Sequence, residues 1–322
     1  MNQSGKKYDV IVIGELNIDL ILDQIESFPE TGKEKLAREM TFTLGSSSAI
    51  FASNLSSLGA SVAFIGKTGK DIFGDFALQC LQQKKVDTSL ILRSEALKTG
   101  ATIGLNFGED RAMVTYAGAM EHLSFNDISL DVLDQARHLH ISSYFFQPAL
   151  QENIADLFRI AKEKGLTTSF DIQTDPTDKW EINLASILPF TDVFLPNENE
   201  LLAITGKETV EEAIDDIKDL VNILAVKLGS KGSACYHNHT VIHQSAFLHN
   251  ELVDAIGAGD SFDAGFVFRF LQGASLAACQ LFANHTGSYS TRAAGGTGAF
   301  EDINSFFKYA NTISNSFRGA ET

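Results

Sequence analysis

Cysteine, proline and positive charge are all sparse in this chain, and each shortage excludes something. The three cysteines among 322 residues, Cys80, Cys235 and Cys279, stand far apart. They form no disulfide framework and no metal-ligand spacing, so a reducing, cytoplasmic setting is expected. Lys and Arg number 25 against 41 Asp and Glu, a formal net charge of −16. A nucleic-acid partner needs a basic face and is excluded. An anionic small molecule is not, because a nucleotide can arrive as a magnesium complex and be held by backbone N–H groups. No apolar run approaches the roughly 18–20 residues that span a bilayer, so no membrane partner is expected. The N-terminal apolar run follows two lysines but ends at Gly14-Glu15, too short for the core of a signal peptide. With five prolines and no repeat, low-complexity tract or Pro-rich linker, nothing marks a boundary between independent domains. A single domain over residues 1–322 is expected.

What is present is an ordinary globular profile, 44% hydrophobic and 20% charged. Short apolar runs predict strands over 9–13, 62–65, 139–142, 168–172, 193–195 and 224–228. The stretches between them predict helices over 48–58, 72–84, 152–164, 198–205 and 210–220. This alternation argues for an α/β fold, a mostly parallel sheet with helices on both sides. Residues 18–25 and 34–43 break the pattern as extended segments. Residues 102–107 and 112–116 read as a hairpin turning at Gly108-Glu109-Asp110. Together they predict a small extra sheet over about 16–43 and 100–118. Placed over the strand ends, it would be a lid that excludes water from a reactive phosphoryl group. The first strand ends Gly14-Glu15-Leu16-Asn17, without the Gly-x-Gly-x-x-Gly turn of a dinucleotide-binding dehydrogenase. His138 and His140, on a strand around Leu139, read as core or sheet-edge histidines, and the 24 phenylalanines as core.

The stretch VDAIGAGDSFDAGF, residues 253–266, organises the rest. It reads as a tight loop over 254–259 leading into a helix that starts near Asp260. Gly257 and Gly259 flank Ala258, so the backbone can take positive φ and approach a ligand. Unpaired N–H groups and the helix dipole make an anion site there. A carboxylate at Asp260 does not help to hold phosphate. It makes sense as a base that takes a proton from a hydroxyl attacking the phosphate. Beside a helix N-terminus it is expected to be ionised at neutral pH. The plainer reading is a Gly-rich loop with an Asp N-cap. Phe262, Phe266, Val267, Phe270 and Leu271 recur at helical spacing, and Gly273 is placed to end the helix.

Other motifs stand in order with this loop. The chain opens with Gly14-Glu15-Leu16-Asn17-Ile18-Asp19. Leu44-Gly45 and residues 55–59 lead to Gly66-Lys67-Thr68-Gly69-Lys70-Asp71-Ile72-Phe73-Gly74. Asn197-Glu198-Asn199-Glu200 and Leu228-Gly229-Ser230-Lys231-Gly232 follow. In this order the motifs resemble the ribokinase-like (PfkB) family of sugar kinases, from Gly14 to about Gly298. The resemblance implies a three-layer α/β/α kinase domain with a β-sheet lid. It implies transfer of the ATP γ-phosphate to a sugar hydroxyl, with Mg²⁺ as cofactor. Asp260 would be the base, and the N–H groups of Gly257, Ala258 and Gly259 the anion hole.

The remaining sites follow from the same resemblance. Asn17, Asp19, Gly45, Ser46 and Asp254 would meet the sugar; carboxylate and amide suit hydroxyls that both donate and accept. For Asn17 and Asp19 a capped strand-end turn is the alternative. Lys227, Gly229, Gly232 and Asn284 would meet the nucleotide, against a plain turn at the two glycines and a solvent-exposed Asn284. Asn197 and Glu200 would organise hydrated magnesium, against a simple helix cap. Lys67 and Arg111 read equally well as surface residues. An open lid face is expected to meet solvent or a second lid in a homodimer.

Three departures bear on specificity. Ser46 stands where the family has a second Gly, and Ile50 where it has an Asn that contacts sugar. Asp175 falls where some members aim an Arg at an acidic substrate; an acid there would repel an anion. A neutral sugar or a nucleoside is therefore expected. Asp254-Ala255-Ile256 stands where Thr is frequent, which bears on a monovalent-cation site. Loss of the sugar-contacting Asn also keeps open a catalytically weak binding homologue.

Overall fold

The computed structural model describes residues 5–107 and 110–318. Fourteen strands are found among them: β1 (Tyr8–Ile13), β2 (Asn17–Asp23), β3 (Glu39–Leu44), β4 (Val62–Ile65), β5 (Lys67–Gly69), β6 (Leu92–Ser94), β7 (Gly100–Phe107), β8 (Asp110–Tyr116), β9 (Ala136–Ser142), β10 (Thr167–Asp171), β11 (Val193–Phe194), β12 (Ile223–Lys227), β13 (Ser233–His237) and β14 (Thr240–Gln244). The helices are α1 (Ser47–Ser57), α2 (Ile72–Gln83), α3 (Pro148–Gln151), α4 (Ile154–Glu163), α5 (Leu184–Ile187), α6 (Glu198–Thr205), α7 (Val210–Ile217), α8 (Ala258–Leu271), α9 (Leu276–Ser290) and α10 (Ile303–Arg318).

The main sheet runs β14-β13-β12-β11-β10-β9-β1-β4. Its strands from β12 through β4 are parallel, and β13 and β14 continue it antiparallel. The parallel strands read as apolar runs because both faces are covered. On β1, Ile11 and Ile13 enter one core cluster with α4 and α7, while Val10 and Val12 enter another with α1 and α8. The antiparallel edge was not expected from the sequence. The expected helix 152–164 is shorter, because Asn153 stands between α3 and α4. The helix after the Gly-rich loop begins at Ala258, two residues earlier than expected, and Gly273 at φ 72° follows its end. No described helix is long and apolar enough to cross a membrane.

A separate sheet runs β3-β2-β7-β8. The hairpin β7–β8 forms as expected, although Gly108 and Glu109 of its turn lie outside the described residues. The segment expected as extended over 34–43 contributes a strand only from Glu39. The period-2 alternation sorts this sheet into two faces. Asp19, Thr43, Thr102 and Thr115 are neighbours on one face; Leu20, Phe42, Ile103 and Val114 are neighbours on the other.

Candidate active site

The site is built at the C-terminal ends of β1, β9, β10 and β12, where open parallel sheets leave a crevice. Gly257 caps α8 in the left-handed region at φ 74°. A Cβ there would fall 2.5 Å from the Cα of Gly296, so only glycine lets these two backbones meet. Asp260 is the third residue of the helix rather than its cap. It is 7% exposed, and its Oδ1 accepts a hydrogen bond from the Gln173 side chain at 3.0 Å. The N-cap reading of Asp260 therefore fails. Of the three expected anion-hole donors, Ala258 turns its N–H to the Ala255 carbonyl at 3.3 Å. Among the described residues, no hydrogen bond uses the N–H of Gly257 or Gly259.

The electrostatics of Asp260 differ from the expectation of full ionisation at neutral pH. Burial and the nearby Asp171 push its pKa up to about 7, with Glu15 adding to the rise. Lys227 and the Ser47 hydroxyl pull the other way without prevailing. Desolvation of a carboxylate outweighs the partial charge of one helix end. Asp19 is likewise raised to about 7, by burial and then by Glu15 and Asp254.

A buried ion cluster lies beneath the loop. Oxygens of Asp171, Asp260 and Asp263 lie within 4.8 Å of one another. That spacing would suit a cation, and the Lys227 ammonium supplies one, at 3.1 Å from Asp171 and 2.9 Å from Asp263. Burial alone would lower the Lys227 pKa, but Asp171 and Asp263 outweigh it and hold the ammonium charged. Lys227 borders both cavities of the site, yet its charge is committed to this triad and not left for phosphate.

Two cavities meet at Gly259. One, of about 390 Å³, is lined by Asp19, Ile50, Arg111, Gln173, Glu200 and Asp260 among others. The other, of about 370 Å³, is mainly apolar and includes Gly229, Gly232, Phe247, Leu248 and Asn284. Asn284 is buried, not solvent-exposed, and its amide faces the Gln244 and Ser245 carbonyls at 3.5 and 3.4 Å. At Gly232 a Cβ would sit 2.0 Å from the Gln244 carbonyl oxygen, so its glycine serves a close backbone approach.

The expected sugar contacts divide. At Gly45 a Cβ would fall 2.1 Å from Oδ1 of Asp19 and 2.6 Å from Oδ1 of Asn17. The missing side chain therefore makes room for these two polar groups, and Asn17 Oδ1 is buried without a hydrogen-bond partner among the described residues. Ser46 borders the cavity, but its hydroxyl donates to the Glu15 carbonyl at 2.5 Å and accepts from the Ala49 N–H at 3.0 Å. Its φ of 73° explains why glycine suits this position. Both oxygens of Asp254 hold the loop, accepting from Ile256 and Gly295 N–H groups at 2.9 and 3.0 Å. Ile50 packs against Gly296 and Gly257, filling space instead of binding a hydroxyl.

Asn197 and Glu200 form a reciprocal capping box at the start of α6, each side chain accepting from the other's N–H at 2.9 Å. Glu200 is also 2% exposed and borders the larger cavity. Burial and Asp171 push its pKa up to about 8.

Asp175 does not line the cavity, contrary to its expected place facing the substrate. Its carboxylate accepts from the N–H groups of Thr177, Lys179 and Trp180 and holds a turn together, away from the cavity-lining residues. Gln173, two residues earlier, reaches the cavity instead. Lys67 pairs with Asp127 at 2.9 Å, outside the site. His138 and His140 are buried core groups bonded to Thr167 and Ser169.

The match to known proteins fits this geometry. Residues 7–303 match the model of the pfkB family carbohydrate kinases. The chain belongs to this family. It is an ATP-dependent phosphotransferase acting on a sugar or nucleoside. An uncharacterized sugar kinase of Archaeoglobus fulgidus is 28% identical over 230 residues, 71% of this chain and 91% of that protein. The 5-dehydro-2-deoxygluconokinase of Lacticaseibacillus casei is 27% identical over 283 residues, 82% of this chain and 84% of that one. Among solved structures, Arabidopsis thaliana ribokinase complexed with ribose and ATP has a TM-score of 0.80 at 24% identity, covering 94% and 98% of the two chains. The ribokinase-like fold and its separate small sheet are therefore those of the family.

Proposed function

We propose that this kinase phosphorylates a hydroxyl of a neutral sugar, with Asp260 as the base and the smaller sheet as a lid over the acceptor. The observation that carries this is the acidic lining of the larger cavity. Asp19, Glu200 and Asp260 meet there, and the Lys227 charge is spent on Asp171 and Asp263. A carboxylate or phosphate on the acceptor would be repelled, with Arg111 on the lid its one ready counter-charge among the described lining residues. No aromatic ring is found among those residues, so nothing there offers a stacking face to a nucleobase. That favours a sugar over a nucleoside.

In this reading the acceptor O–H gives its proton to Asp260. Its oxygen bonds to the γ-phosphorus as the bond from that phosphorus to the β–γ bridging oxygen breaks, and ADP leaves. The N–H groups of Gly257 and Gly259 meet the charge developing on the transferred group, where one such donor is worth about 3–4 kcal/mol. The apolar cavity beside Gly229 and Gly232 takes the adenine end of ATP. Glu200 is the group to organise magnesium, because a nearby cation would restore the charge that burial suppresses. The ion neutralises phosphate oxygens when bound.

The acceptor class is tested by initial rates of ADP release with neutral sugars, nucleosides and sugar acids. A neutral sugar is expected to turn over fastest. A sugar acid or nucleoside with the higher kcat/KM would overturn the assignment.

An exposed apolar face on the lid supports a homodimer as part of this reading. Its outer face carries Met40 (67% exposed), Val114 (66%) and Tyr116 (59%) beside Phe42 and Ile103, with no charge on the strand positions between. Such a patch is costly to leave in water. Two such faces stacked about a two-fold axis would cover each other. Sedimentation at micromolar concentration is expected to give a dimer, and Val114→Glu a monomer. A monomeric wild-type protein would remove this part of the proposal.

A further inference from the structure

We propose that Gln173 is a positioning residue for the base: its side-chain amide, anchored on Asp171, holds one oxygen of Asp260 and leaves the other to take the proton. This rests on the reading of Asp260 as the base.

Three observations single Gln173 out. It follows β10 with φ 59°, in the left-handed region that non-glycine residues rarely adopt. Such an outlier beside a cavity points to a local purpose, and here it accompanies a side chain that returns to the site. The Gln173 Nε2 donates to Asp171 Oδ2 at 2.5 Å and to Asp260 Oδ1 at 3.0 Å. Of the two ends of the amide, only the N–H₂ can donate to two carboxylate oxygens, which fixes the amide's orientation. Both of its donors are then used, and its side chain borders the acceptor cavity.

The anchor is itself fixed. Asp171 is fully buried, and the same Oδ2 meets the Lys227 ammonium, which in turn meets Asp263. Asp263 lies three residues after Asp260 on α8, on the same side of the helix. The contacts Gln173–Asp171–Lys227–Asp263 therefore tie the ends of β10 and β12 to α8 one turn from the base. Gln173 closes the ring at the base itself. A carboxylate held at one oxygen, on a helix tied to the strand ends, keeps its other oxygen in the short, aligned approach that proton transfer needs.

The test is a double-mutant cycle with Gln173→Ala, Asp260→Asn and the pair, reading kcat, the KM for ATP and the thermal midpoint. Gln173→Ala is expected to melt like wild type and keep its KM for ATP, with kcat lower by about 10–100-fold. Gln173→Glu, which keeps the size but removes the donor, should lose at least as much. On the Asp260→Asn background Gln173→Ala should change kcat by less than about two-fold, because the group it positions is already gone. A folded Gln173→Ala enzyme within about two-fold of wild type would overturn the proposal. So would losses that multiply in the pair, since Gln173 would then act independently of Asp260. If Asp260→Asn alone stays near wild type, the base reading fails, and this proposal with it.

Discussion

Replacing Asp260 by Asn is expected to lower kcat by about 10²–10⁴-fold, the range for a positioned general base, with ATP affinity little changed. Asn keeps the shape and nearly the volume of the side chain, but its amide cannot take a proton. It also removes a negative charge beside the incoming phosphates, so ATP binding should survive or tighten. A fall in kcat without a rise in KM marks an interaction needed only in the transition state. Stability should not suffer. The Asp260 carboxylate caps nothing, and burial raises its pKa to about 7. A raised carboxylate pKa means that folding stability is lost as pH rises towards 7, so a neutral Asn removes a cost. The same shift predicts a pH profile. Activity of the wild type should fall as pH drops through about 7, where the base becomes protonated. A profile flat from pH 8 to pH 5.5 would show that no group raised in this way is essential.

Lys227→Met is expected to destabilise the fold by about 3–5 kcal/mol, the usual cost of removing one partner from a buried ion pair. Asp171 and Asp263 would then lie buried with no cation between them. At about 2–4 °C per kcal/mol for a large domain, the melting temperature should fall by about 6–20 °C. The deficit should widen with pH. Burial already holds the Asp263 carboxyl well above the usual carboxylate range, and without the ammonium that opposes this it rises further. Asp263 then folds protonated at low pH and loses stability as pH climbs from the unfolded value near 4 towards the raised one. Turnover should fall as well, because the ammonium lies beneath Gly259 and ties α8 to the strand ends. A variant as stable as wild type at pH 8 would mean that Lys227 does not hold the two acids.

The parts of this site that were legible in the sequence are those with a local cause. The Gly-rich loop shows because a positive φ and a close backbone approach at Gly257 demand glycine. The buried parallel strands show as short apolar runs. Asp19 shows beside Gly45, whose missing side chain makes room for it. What did not show depends on contacts between distant segments. Lys227 meets Asp171 and Asp263 across 56 and 36 residues, and no periodicity announces a triad of that kind. The sequence points to Asp175 and not to Gln173, two residues away, because a turn of backbone decides which of them reaches the cavity. The proton affinity of Asp260 likewise depends on distant segments. The helix end is visible in sequence; the burial and the facing Asp171 that outweigh it are not.

Transfer from ATP to a sugar hydroxyl with Asp260 as base is tested most plainly by following the γ-phosphate itself. Wild-type protein and Asp260→Asn are incubated side by side with magnesium, neutral sugars and ATP radiolabelled on its γ-phosphate. Label is expected in a sugar phosphate, equal in amount to the ADP formed, with transfer by the variant lower by about a hundred-fold or more. Label released only as inorganic phosphate, or transfer by Asp260→Asn as fast as by wild type, would contradict that expectation.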